Sequence, residues 1–148
     1  YQLMLPLAGD WERLGHDTPG GVRDSAATLA WTLSNHNSSG GIDLQFTWGV
    51  SGTVRVVGDW DGNGTDTPAW FRDGVWTFSN VNTIGGTAAT FRWGRAGDIP
   101  LAGDWDGDGF DTVGLYRDGE WSLSDDHVAA LHGTTDAAHA TAFRWGTE

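Results

Sequence analysis

The sequence predicts an all-β chain of β-propeller blades, each of four antiparallel strands, with three blades to the chain. Three observations carry this. An acidic, glycine-spaced loop recurs as GDWERLGHD at 9–17, GDWDGNGTD at 58–66 and GDWDGDGFD at 103–111. Its first aspartates, Asp10, Asp59 and Asp104, lie 49 and then 45 residues apart, a period that belongs to propellers, solenoids and arrays. Ten Trp and 23 Gly in 148 residues point to short strands joined by tight turns, because disordered chains avoid aromatics.

The three copies run from Pro6 to Gly49, Arg55 to Gly94 and Pro100 to Gly146. In the second, four strand-like runs, TVRVVGD, PAWFRD, VWTFSN and TAATFRWG, are divided by DGNGTDT, DG and VNTIGG. Such turn clusters between apolar runs mark strand boundaries. Asp73-Gly74 and Asp118-Gly119 are hairpin turns. The first copy carries the longer RDSAAT there, read as a longer connection. Helix is expected only within 125–133, DDHVAALHG, and for no more than two turns. The units are therefore 1–53, 54–98 and 99–148.

Period-two alternation gives each blade an aromatic stripe. Trp31 shares a face with Leu33, Trp76 with Phe78 and Trp121 with Leu123; on the fourth strand Phe46 pairs with Trp48, Phe91 with Trp93 and Phe143 with Trp145. One blade cannot bury such a stripe alone, so blades must stack. Three blades fall short of the four to eight of a propeller. A homodimer joined head to tail closes a six-bladed ring, and the alternative is a fragment or an open assembly.

Composition narrows the partners. There are 8 Arg, no Lys and 20 Asp plus Glu, for a net charge of −12. That charge disfavours nucleic acid and anionic membranes. No apolar run reaches the ~20 residues of a membrane span, so no membrane insertion is expected. With no cysteine, disulfides and thiolate metal sites are excluded.

The loops have the chemistry of a cation site. Alternate side chains of a tightly curled loop converge on one point, and glycine permits the curl. A hard cation such as calcium takes six to eight oxygens. The candidate ligands are Asp59, Asp61, Asn63 and the Thr65 carbonyl in one loop, and Asp104, Asp106, Asp108 and the Phe110 carbonyl in the other. The alternative is a set of Asp-Gly turns without metal. In the first copy Glu12, Arg13 and Leu14 break the pattern, so two Ca²⁺ sites per chain are expected and none there. Arg13 is expected to neutralise Asp10, Glu12 or Asp17 instead.

GDWDGDGFDTVGLYRDGEWSL resembles the FG-GAP/VCBS class of repeat, as found in bacterial extracellular proteins and integrin α-subunit propellers. The resemblance implies a propeller, structural calcium and a secreted, bacterial setting. In that class the loop ends on an acidic ligand at position 9. Here Thr67 and Thr112 hold position 9, and Asp66 and Asp111 hold position 8. Either the aspartate or the threonine completes each site.

Similar repeats occur in adhesion proteins, in lectins and as appendages of secreted hydrolases. The leading expectation is a carbohydrate-binding, lectin-like module. A protein-binding adhesion or self-assembling subunit, or a hydrolase appendage, are the alternatives. Candidate partners are therefore glycans, a surface protein and the chain itself. No catalytic residues are expected, because an active site is unique and these acids recur. Trp70 has no aromatic counterpart at Gly21 or Leu115; it is a candidate for stacking on a sugar ring, or a locally packed side chain. His127, His132 and His139 are read as surface loop residues, since their spacing does not match common zinc pairs.

Overall fold

The computed structural model describes residues 3–87, 89–135 and 139–146. Among them are three four-stranded antiparallel sheets, each in simple sequential order. The first holds β1 (Leu5–Gly9), β2 (Thr18–Ser25), β3 (Thr28–Leu33) and β4 (Leu44–Thr47). The second holds β5 (Val54–Gly58), β6 (Thr67–Arg72), β7 (Val75–Phe78) and β8 (Ala89–Arg92). The third holds β9 (Ile99–Gly103), β10 (Thr112–Arg117), β11 (Glu120–Ser124) and β12 (Ala140–Arg144). A single turn of helix, α1 (Val128–Leu131), falls inside the stretch expected to form one. No helix among the described residues is long and apolar enough to cross a membrane.

The alternation sets which face is buried. In all three sheets the third-strand tryptophan lies parallel to the fourth-strand phenylalanine: Trp31 on Phe46, Trp76 on Phe91 and Trp121 on Phe143, with planes 5°, 12° and 5° apart. The indole N–H of each donates to the carbonyl of the tryptophan just past the fourth strand, at 2.9, 3.0 and 3.1 Å. A buried indole needs such a partner, and the repeated Trp-Gly supplies it.

The sheets stack in one direction. The aromatic face of the first, with Val22, Leu29, Trp31 and Trp48, receives Val57 and Trp70 of the second. The aromatic face of the second, with Trp76, Phe78 and Phe91, receives Val113 and Leu115 of the third. The glycine of each Trp-Gly makes room. Trp70 Cδ1 lies 3.1 Å from where a Cβ on Gly49 would stand, and Leu115 Cδ1 lies 2.6 Å from that of Gly94. Both glycines also have positive φ, 98° and 89°, so any side chain there is strained as well as crowded.

The hairpin turns form as expected at Asp73-Gly74 and Asp118-Gly119, where all four φ angles are positive, as a type I′ turn requires. The first hairpin differs from expectation. RDSAAT is not a longer loop. Pairing continues through Asp24–Leu29 and Ser25–Thr28, which leaves the two-residue turn Ala26-Ala27 with Ala26 at φ 53°. The longer hairpin places Asp24 over the link to the second sheet. Its Oδ1 accepts from Ser51 Oγ (2.9 Å), Gly52 N (2.7 Å) and Arg55 Nη2 (2.6 Å). These bonds hold the Asp24 carboxyl well below the usual range, at about 2.

Candidate metal centre

Each acidic loop connects the first two strands of its sheet. In all three, the first aspartate accepts backbone N–H groups from four and five residues ahead, and this curls the chain. Asp10 takes Leu14 N and Gly15 N at 2.6 Å each. Asp59 takes Asn63 N at 3.0 Å and Gly64 N at 2.8 Å. Asp104 takes Asp108 N at 3.1 Å and Gly109 N at 3.0 Å. The side chain at position 5 then accepts from position 7: Asn63 Oδ1 from Thr65 N (2.8 Å) and Asp108 Oδ1 from Phe110 N (2.9 Å).

This curl brings Asp104, Asp106 and Asp108 together, with one oxygen from each within 4.8 Å of the others, all exposed. Three carboxylates so close repel unless a cation sits among them. In the second loop Asn63 replaces one acid, and its Nδ2 donates to Asp61 Oδ2 at 3.2 Å. That loop therefore carries one negative charge fewer on the same frame. In the first loop the frame survives without the ligands. Glu12 turns away to accept from Asn35 Nδ2, and Leu14 offers no donor atom. Arg13, at φ 60°, makes no ion pair with Asp10, Glu12 or Asp17 among the described residues. Its stem instead lies 2.9 Å from where a Cβ on Gly64 of the second loop would stand. Its expected role as a local counter-charge is thus replaced by packing between loops.

Asp66 and Asp111 present their Oδ2 atoms to the preceding loop. Asp66 Oδ2 accepts Asp10 N at 2.7 Å, and Asp66 N donates to the Asp10 carbonyl at 2.7 Å. Asp111 repeats both bonds with Asp59, at 2.8 Å each. Position 8 of the second and third loops therefore clasps position 1 of the loop before it. The threonines at position 9 bond within their own sheets, Thr67 Oγ1 to the Ser79 carbonyl (2.6 Å) and Thr112 Oγ1 to that of Gly103 (3.5 Å). Burial pushes the Asp66 carboxyl up to about 6; the Asp10 N–H opposes this, and the nearby charges of Asp111, Asp17 and Asp59 add to the rise. Burial raises Asp111 too. Asn82 reinforces the first clasp: its Nδ2 donates to the carbonyls of Asp66 and of Trp11 in the preceding loop, 3.0 Å each.

His127 was not expected at the site, because it lies 19 residues beyond Asp108. Its ring stacks on Phe110 at 4.0 Å, and Nε2 stands 2.6 Å from Asp108 Oδ2. This contact and the Phe110 N–H hold the Asp108 carboxyl below its usual range. His132 Nδ1 accepts from Thr90 N at 3.0 Å, and His139 pairs with Asp126 at 2.7 Å. All three histidines are on the surface loop as expected, and each has a partner.

Trp70 lies half-buried in the seam between the first two sheets, packed against the cluster of Val22, Leu29, Trp31 and Trp48. Packing accounts for it. Beside that seam runs a groove of about 750 Å³, lined among others by Arg23, Gln45, Phe46, Asn82 and Ile84. Compared with known proteins, the chain matches no family model, no curated protein and no solved structure.

Proposed function

We propose that the chain is a non-catalytic, calcium-stabilised binding module of the β-propeller type, acting outside a bacterial cell, whose ligand is a carbohydrate. The groove between the first sheet, at its β4 edge, and residues 82–84 carries this reading. It offers an aromatic side chain, Phe46, next to Arg23, Gln45 and Asn82. An apolar ring face beside a few fixed polar groups is the usual make-up of a small-ligand site. Trp70 is held in the seam, so the sugar-stacking role passes to Phe46, which is half-buried and lines the groove. The cation reading rests on oxygen-only loops curled by glycine, which suit calcium. Its role is to hold the loops rigid.

A glycan array run in calcium and in chelator tests the reading. Binding is expected in calcium and should fall in Gln45→Ala and Phe46→Ala. A flat array at millimolar calcium would refute it. A second reading, a self-assembling subunit, is favoured by the open aromatic face of the third sheet, where Phe143 is 44% and Trp145 69% exposed.

A further inference from the structure

The interface between neighbouring sheets is built twice among the described residues from the same parts, and the first and third sheets each carry half of a third. The clasp is the first part. Asp10 and Asp59 are half-buried under Asp66 and Asp111, whereas Asp104 and Asp17, the matching positions in the third and first loops, are exposed. No bond to the Asp104 N–H is seen among the described residues. Asn37 is the second part. It holds the Asp17 carbonyl at 3.1 Å, as Asn82 holds that of Asp66. Asn82's further bond, to Trp11 of the preceding loop, has no counterpart at Asn37 among the described residues.

The third part is a knob and its slot. Trp70 and Leu115 fill the slots above Gly49 and Gly94. The matching slot on the third sheet is an open pocket of about 290 Å³, lined by Tyr116, Trp121, Trp145 and Gly146 among others. The matching knob position on the first sheet is Gly21, which has no side chain. Met4 takes its place: its Sδ lies 2.2 Å from where a Cβ on Gly21 would stand, and Met4 is 44% exposed. A knob of the right kind therefore stands on the outer face of the first sheet, and an apolar slot stands open on the third.

We propose that the occupant of the third sheet's open face is the first sheet of a second copy of this chain. Met4 of one copy enters the Trp121/Trp145 slot of the other, and Asp17 accepts the Asp104 N–H across the contact. The inference continues an interface seen twice within the chain. It deepens the self-assembly reading and does not depend on sugar binding. A head-to-tail contact of this kind uses two different surfaces, which gives it a signature that a symmetric contact lacks.

Sedimentation of the 148-residue protein is expected to show a species of about twice the 15.9 kDa chain mass. Two variants separate the surfaces: Met4→Ala/Asp17→Ala disables the first-sheet face, and Trp145→Ala disables the third-sheet face. All three side chains are exposed, and circular dichroism checks that both variants fold. Each variant alone should dissociate at least about tenfold more readily, as loss of anchor residues does. An equimolar mixture should regain one intact contact and form a heterodimer. A monomer at high concentration would overturn the proposal. So would a Met4→Ala/Asp17→Ala protein that dimerises like the parent, since that result belongs to a symmetric contact between third-sheet faces.

Discussion

Asp66 and Asp10 hold each other at two points. The backbone N–H of each finds an oxygen of the other at 2.7 Å, one a carboxylate and one a carbonyl. An aspartate that sequence spacing offers to a cation locks one loop to the loop before it.

Removing this carboxylate and neutralising it should therefore have opposite effects. Asp66→Ala leaves the half-buried Asp10 N–H without its acceptor and should cost about 1–3 kcal/mol. Asp66→Asn keeps an acceptor and removes a charge that burial disfavours. Its stability without calcium should equal or exceed the parent's. Thermal melts of the two variants in chelator check this.

Calcium should raise the melting temperature by mass action, with a gain of about 2.7 kcal/mol for each occupied site at a hundredfold excess over the dissociation constant. Asp61→Ala and Asp106→Ala should each lose one of two sites in calorimetric titration. In chelator both should melt like the parent or higher, because each removes one of several crowded carboxylates.

The first loop should be repairable. Asp10 already curls it through Leu14 N and Gly15 N, so only the ligands and one glycine are missing. Glu12→Asp/Arg13→Gly/Leu14→Asp is expected to bring calorimetric stoichiometry to three calcium ions per chain. A count still at two would show that the curl alone does not make the site.

Acid should weaken the fold through Asp98. Its side chain is 1% exposed, and Arg117 binds both its oxygens at 2.5 Å. The Arg117 guanidinium first, and the Arg95 N–H with it, hold this carboxyl below its ordinary value of 3.8. A lowered folded value means that the contribution is present above pH 3.8 and is lost as pH falls through the lower folded value. Asp98→Asn should flatten the acid limb of a stability–pH curve and lower the plateau. An unchanged acid limb would show that other carboxylates govern it.

The period and the alternation of apolar residues made twelve strands readable, because strand faces and turns are local matters. Trp76 with Phe78, and the Asp73-Gly74 turn, lie where spacing puts them. The extended first hairpin was not readable, because Ala26-Ala27 carries none of the residues that favour positive φ. The clasp was hidden for a different reason. An aspartate bonded to a neighbouring backbone leaves the same mark in a sequence as one bonded to a metal. His127 reached Asp108 through tertiary packing, which spacing does not record.

The insertion in the third copy has a consequence for misassembly. Thr90 N, Thr90 O and Arg92 N on β8 are bonded to His132, Gly133 and Thr134, so the second sheet's outer margin is already occupied. The outer margins at β4 and β12 have no such cover among the described residues. A bare strand margin is a template for amyloid-like growth. Fibrils from partly unfolded protein should therefore start at Leu44–Thr47 or Ala140–Arg144, and clipping the chain near Gly133 should add Ala89–Arg92 as a third starting point.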